Sequence, residues 1–216
     1  MNQNLASYYH ERAKEYDKVY ANPAEQADLQ SASTLFKNLF AQKSVIEIAC
    51  GTGYWTERIA QTAAAVLATD LNQSMIDIAQ QKQLGPNTSF ALADMYQFVP
   101  DKKYEALFGG FIWSHILLQD LDRLLQHLSG WLLPGSVMAF IDSKTVPNTS
   151  HDRQKITHQD EYGNTFQTRT LENGSTHQVL KNYPTRDFIL QKFSPWASDI
   201  EFMELEFYWM VCCKKN

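Results

Sequence analysis

The most constraining feature of this chain is a recurring unit: a short apolar, β-branched run, ended by a turn or an acid and followed by a helical stretch. Val45 to Ala49 reads VIEIA and runs straight into Cys50-Gly51-Thr52-Gly53-Tyr54-Trp55. A helix is expected from about Trp55 to Gln61. Val66 to Thr69 is a second such run, ended by Asp70; Phe90 to Ala93 is a third, ended by Asp94. Tyr104 to Phe111 is a fourth, and Val137 to Ile141 a fifth, ended by Asp142. Between them the pattern predicts a helix from Asn72 or Gln73 to about Leu84, closed by Gly85-Pro86. A Leu-rich helix is expected from about Leu117 to Leu132, stopped by Pro134-Gly135. Short apolar strands alternating with helices mean βαβ units and a parallel sheet. Strands apolar on both faces need helices on both sides. The expected class is α/β, doubly wound and mostly parallel.

The flanks differ from this core. The first forty residues read as helical, with a break at Pro23 and a rough stripe of Leu29, Ser33, Phe36, Leu39 and Phe40. In the last third, Thr165 to Leu171 and Thr176 to Lys181 alternate around Asn173-Gly174, the signal of a β-hairpin. A helix is expected after Pro184. Asp199 to Leu205 and Phe207 to Cys213 then read as an antiparallel edge pair.

The 216 residues suit one domain with a well-formed core. The net charge of −5 argues against a nucleic-acid partner, which usually meets a basic face. Three cysteines, Cys50, Cys212 and Cys213, make neither a disulfide framework nor a zinc pattern, and all read as packing residues. No metal is expected. Neither a signal-peptide core nor an apolar run of membrane-spanning length is present, so a cytoplasmic protein without a membrane partner is expected. Oligomeric state is left open.

In a doubly wound sheet, ligands sit beyond the carboxyl ends of the strands. Gly51 and Gly53 let the backbone turn tightly and approach a ligand. Asp70 lies 19 residues past Gly51, at the next strand end. A carboxylate there can accept hydrogen bonds from a ribose diol, which suits any adenosine cofactor. A dinucleotide site would show G-x-G-x-x-G facing a pyrophosphate; here the third glycine position is Thr56, after bulky Tyr54 and Trp55.

These motifs together resemble the class I S-adenosylmethionine-dependent methyltransferases. VIEIACGTG is similar to the family's first motif, with Glu47 in the usual acidic position and Ala49 where many members have Gly. VLATDLNQSMIDIA, FALADM, YEALFGGFIWSH and LLPGSVMAF are similar to the next four, in order. The resemblance implies a Rossmann-like methyltransferase fold: a seven-stranded, mostly parallel sheet with an antiparallel last strand, carrying an inserted β-hairpin. It implies S-adenosylmethionine as cofactor, S-adenosylhomocysteine as product, and methyl transfer by in-line displacement. Asp70 becomes the ribose acid, Asp94 the partner of the adenine amino group, and the Met95 amide that of an adenine ring nitrogen. Trp55, Leu71 and Phe111 join Glu47, Ala49, Gly51 and Gly53 as cofactor-site residues.

Residues 1–42 are then expected to form a helical lid and 43–142 the cofactor-binding core. Residues 143–183 would be an insertion on the acceptor side, and 184–216 the closing helix and edge strands. His115, after the fourth strand, is the candidate general base, and equally readable as a helix-start residue bonding backbone. Tyr9, Tyr16, Tyr20, Arg153, Tyr162 and Arg169 are candidates for contact with the acceptor. An Asn/Asp-Pro-Pro-Tyr/Phe stretch is missing after the fourth strand; with the acidic charge, this points to a small-molecule acceptor. The competing readings are a non-enzymatic S-adenosylmethionine-binding module, a nicotinamide-dependent oxidoreductase, and a protein or RNA methyltransferase.

Overall fold

A computed structural model describes residues 3–146 and 155–216. Helix α1 (Gln3–Arg12), two 3-10 turns (Ala13–Tyr20 and Pro23–Glu25) and α2 (Gln26–Leu39) precede the sheet. The core follows as β1 (Ser44–Ile48), α3 (Tyr54–Ile59), β2 (Ala65–Asp70), α4 (Gln73–Gln81), β3 (Thr88–Leu92) and β4 (Tyr104–Gly110). Two further 3-10 turns (Trp113–His115 and Leu118–Asp120), α5 (Leu121–Ser129) and β5 (Leu132–Ser143) complete it. A small sheet is built from β6 (His158–Gln159), β7 (Thr165–Thr170) and β8 (Thr176–Leu180). Helix α6 (Arg186–Phe193) and strands β9 (Ala197–Glu204) and β10 (Tyr208–Lys215) close the chain.

Seven strands form the main sheet in the order β3-β2-β1-β4-β5-β10-β9. Strand β10 runs antiparallel to both its neighbours, and the other described pairs in this sheet are parallel. The winding direction reverses between β1 and β4, which opens a crevice at their carboxyl ends.

The period of two along each strand feeds two cores. Ile46, Ile48, Leu107, Met138, Phe140 and Val211 face α5 (Leu121, Leu124, Leu125, Leu128) and α6 (Ile189, Phe193). Val45, Ala106, Phe108, Ala139, Ile141 and Met210 face α2 (Leu29, Phe36, Phe40) and α3 (Trp55, Ile59). Each such side chain contributes roughly 1.5–3 kcal/mol by leaving water, so the sheet is a rigid floor for the loops at its end.

Two expectations about elements need correction. The helix expected from Leu117 to Leu132 is only α5, ending at Ser129, with Leu132 already in β5. Pro134-Gly135 does not stop it; the pair sits within β5, beside the register shift between Tyr104 and Ala106 on β4. A strand irregularity tolerates the missing proline N–H. Helix α4 ends at Gln81, and Gln83 turns left-handed (φ +50°) before Gly85 is reached. The hairpin is extended to three strands by β6.

Candidate active site

The loop after β1 turns through the left-handed region three times, at Ala49 (φ +50°), Gly51 (φ +56°) and Gly53 (φ +79°). This curls the chain off the sheet and starts α3, whose N-cap is Gly53. A Cβ on Gly51 would point at the Tyr16 ring, 3.6 Å from its Cε1, so the bare loop backbone faces a cavity wall. Asp70 Oδ2 accepts the Gly51 N–H at 2.9 Å and Oδ1 accepts the Asn72 N–H at 2.8 Å. Burial raises the Asp70 pKa, and those backbone donors pull it back. Each oxygen keeps a further lone pair, so this carboxylate is oriented by the loop and still able to accept from a diol.

Ala49, Gly51, Asp70, Leu71, Met75, Met95 and Phe111 line a cavity of about 50 Å³. Tyr9, Tyr16 and His115 line it too. That is far below the roughly 300–1,000 Å³ of a ligand pocket, because rings from the N-terminal segment lie in it. A second cavity of about 970 Å³ is lined by Tyr8, Arg12, Tyr20, Arg169, Lys181 and Tyr183, among others. Tyr9, Tyr16, Phe111 and His115 line both.

His115 is buried in this shared wall. Its Nδ1 lies 2.6 Å from the Leu180 carbonyl oxygen, which can only accept, so Nδ1 carries the proton. Nε2 is then an acceptor, and Tyr9 donates its hydroxyl to it at 2.7 Å. Burial, and then the Lys181 charge, hold the His115 pKa down at about 3, so the ring is neutral near pH 7. Burial raises the Tyr9 pKa, so its hydroxyl stays protonated.

Beneath His115 lies a buried ion pair. Lys181 Nζ donates to Asp142 Oδ1 at 2.8 Å and to Ser114 Oγ at 2.7 Å, while Asp142 Oδ2 accepts the Ser114 N–H at 2.9 Å. Asn182 extends the contact, donating its Nδ2 to the Ile116 carbonyl at 3.0 Å. The small sheet is thereby fixed to the carboxyl ends of β4 and β5.

The N-terminal segment crosses this floor like a strap. On the core side Thr52 donates to Asp17, Lys82 pairs with Asp17 at 3.2 Å, and His10 meets Ser74 at 3.1 Å. On the other side Lys18 pairs with Glu172, Ser175 donates to Glu11 at 3.1 Å, and His177 lies 3.6 Å from Glu11.

The structure thus brings Ala49, Gly51, Asp70, Leu71, Met95, Phe111, Tyr9, Tyr16 and His115 together around one cavity. Tyr20 stacks on Tyr54 with ring centroids 3.7 Å apart and, with Arg169, lines the larger one. Other expected site residues lie elsewhere. Trp55 is packed in the core against Phe36 and Phe108. Glu47 is buried, accepts from Thr56 at 2.6 Å and has its pKa raised to about 8 by burial. Gly53 shapes the loop. Asp94 accepts the Tyr96 N–H at 3.0 Å and turns the chain between Ala93 and Met95, which line the small cavity. Tyr162 is 60% exposed on a turn of the small sheet. Arg153 lies outside the described residues. Sequence reasoning missed Arg12, Ser114, Asp142 and Lys181 as site residues; of this group, only Asp142 carried a signal, as an acid at a strand end.

Residues 45–135 match the family model described as a methyltransferase domain. The malonyl-[acyl-carrier protein] O-methyltransferase of Bacillus cereus is 30% identical over 132 residues, covering 58% of this chain and 48% of that protein. The trans-aconitate 2-methyltransferase of Delftia acidovorans is 28% identical over 144 residues, covering 65% of this chain and 50% of that protein. The chain spans about half the length of these curated relatives. Among solved structures, the DhpI-SAM-HEP complex superposes with a TM-score of 0.81 at 23% identity, covering 99% of both chains. The strand order, the glycine loop with its acid, and the matched segment agree: residues 45–135 are similar to a methyltransferase domain, and the chain shares the fold of solved methyltransferase structures. Among the described residues, no helix is long and apolar enough to cross a membrane.

Proposed function

We propose that the chain binds S-adenosylmethionine in the small cavity and directs methyl transfer to a small-molecule acceptor in the larger one. The observation that carries this reading is the shared wall: Tyr9, Tyr16, Phe111 and His115 face both cavities, so two ligands would meet there. The residues fit the cofactor. The Gly51 backbone gives a flat approach, Asp70 presents two oriented oxygens for the ribose, and Leu71, Met75 and Met95 offer apolar faces for the adenine. Asp94 and the Met95 amide sit at the adenine end. When bound, the cofactor supplies a methyl group on a positively charged sulfur.

The remaining work belongs to the protein. Phe111 and the tyrosines exclude water and hold acceptor and methyl carbon in line, and positioning of this kind can contribute roughly 7–11 kcal/mol. His115, neutral with its lone pair on Nε2, accepts the Tyr9 hydroxyl and so fixes that ring in the wall between the two cavities. The N-terminal segment, expected as the lid over 1–42, acts as that lid, and the small sheet forms the acceptor side, with Tyr20 and Arg169 contributed from either flank. Trp55 and Glu47 support the site from the core.

Isothermal titration calorimetry with S-adenosylhomocysteine tests this reading, with NAD in parallel. Saturable one-site binding is expected for S-adenosylhomocysteine and none for NAD. Each hydrogen bond to a charged group contributes about 1.5–3 kcal/mol, so Asp70→Ala should weaken binding by at least tenfold. Absence of binding to folded wild-type protein, or binding of NAD instead, would overturn it.

A further inference from the structure

The larger cavity holds positive charge without its complement. Arg12 and Arg169 flank one ring, their Cζ atoms 5.7 Å and 5.9 Å from the Tyr8 centroid. Both guanidinium groups therefore stand near the same aromatic ring, lining one cavity. Among the described residues neither guanidinium is ion-paired with a carboxylate. Arg169 is held instead by neutral groups: Gln167 Oε1 accepts from its Nη2 at 2.8 Å and from its Nε at 3.2 Å, and its Nη1 lies 3.5 Å from the Tyr8 hydroxyl. Gln167 is itself fixed, donating to the Tyr183 hydroxyl at 3.0 Å. Of the acids lining the cavity, Glu172 pairs with Lys18, Glu25 is engaged with Tyr208 and Asn22, and Glu15 lies beside Lys18 and Glu172. The other cations lining this space are matched, Lys181 by Asp142, Lys18 by Glu172 and Lys144 by Glu204. The wall is therefore a preorganised, partly buried cationic fork lacking only its anion, and planar guanidinium groups suit carboxylate and phosphate-like oxygens best.

The neighbouring His115 fits the same conclusion. Burial, and then the Lys181 and Arg169 charges, oppose its protonation, which makes it a poor remover of protons. An acceptor that arrives already deprotonated needs no base.

Resting on the methyltransferase reading above, we propose that the acceptor is a small oxyanion, a carboxylate or a phosphonate-type group, seated between Arg12 and Arg169 and methylated on one of its own oxygens. An oxygen lone pair forms the new O–C bond as the C–S bond to the methyl group breaks, and the C–S electron pair stays on sulfur. The sulfonium loses its charge, the anion loses one negative charge, and no proton moves. The product is a methyl ester, held less tightly by the arginines than the anion that entered.

The test uses the full chain saturated with S-adenosylhomocysteine, titrated calorimetrically with malonate and with methylphosphonate, and with ethanolamine as a cationic control. Saturable binding of at least one anion is expected, and none of ethanolamine; the anion preferred tells carboxylate from phosphonate. Arg12→Gln and Arg169→Gln should each weaken that anion at least tenfold while S-adenosylhomocysteine affinity stays within twofold, which also certifies that the variants fold. Arg169→Lys, keeping the charge, should recover part of the loss. The proposal is overturned if neither anion binds the loaded wild type, or if the Gln variants bind as tightly as wild type. Failure of S-adenosylhomocysteine itself to bind would remove the parent reading, and this one with it.

Discussion

Ala49 and Phe111 hold backbone angles that a side chain resists, with φ at +50° and +58°. Both lie at the carboxyl end of a central strand, and both line the small cavity. The left-handed conformation costs a non-glycine residue roughly 1–2 kcal/mol, and such strain gathers where surrounding contacts over-determine the chain. At Phe111 those contacts are visible: its N–H donates to the Ile141 carbonyl at 2.8 Å, and its ring lies 5.2 Å from Tyr208 and 5.9 Å from Tyr20. Ala49 is simpler, because glycine relieves the strain and loses only the methyl. Glycine also frees the unfolded chain, which offsets about 0.4–1 kcal/mol. Ala49→Gly is therefore expected to raise the melting temperature slightly, by about 1–3 °C, in a calorimetric scan. A lower melting temperature would show that the alanine methyl packs better than its backbone angle suggests.

Between elements, the decisive contact is the Lys181–Asp142 pair, with side chains 7% and 0% exposed. It joins the end of β8 to the end of β5, and with Asn182 it locks the small sheet against the turn bearing His115. Removing one partner of a buried pair strands the other charge and costs about 3–5 kcal/mol. Lys181→Met should show a loss of that size in urea unfolding, and adding Asp142→Asn should recover a substantial part. A loss below about 1 kcal/mol would mean that the small sheet is docked by other contacts. This contact also marks the limit of what could be read beforehand. The β1 loop, Asp70 and the position of His115 were legible because each is set by a strand end and its next few residues. Arg169 meets Tyr8, and Lys181 meets Asp142, across long stretches of chain, and no local pattern encodes such meetings. The leucines of 117–132 misled for a related reason: helical and strand segments that follow one another directly, both apolar, share one composition, and sheet pairing draws Leu132 into β5.

For the molecule as a whole, two buried groups shape stability against pH in opposite senses. Glu47 titrates at about 8 rather than 4.5, so between those values the folded state keeps a proton that the unfolded chain has released. Stability therefore falls as pH rises through that window, by up to about 1.4 kcal/mol per unit. His115 titrates at about 3 rather than 6.5, so the unfolded chain binds a proton first and stability falls as pH drops below 6.5. The two slopes oppose one another between 4.5 and 6.5, and above 6.5 the Glu47 slope stands alone. Unfolding free energies measured at pH 6.5 and 8 should differ by about 1–2 kcal/mol in wild type and become nearly equal in Glu47→Gln. An unchanged slope in that variant would assign the effect to another group. The strap has a consequence of its own at this scale. Because Tyr9 and Tyr16 belong to one stretch of chain and line both chambers, a displacement of that stretch changes both at once. On the proposed function, such a movement would time the release of spent cofactor and methylated product together.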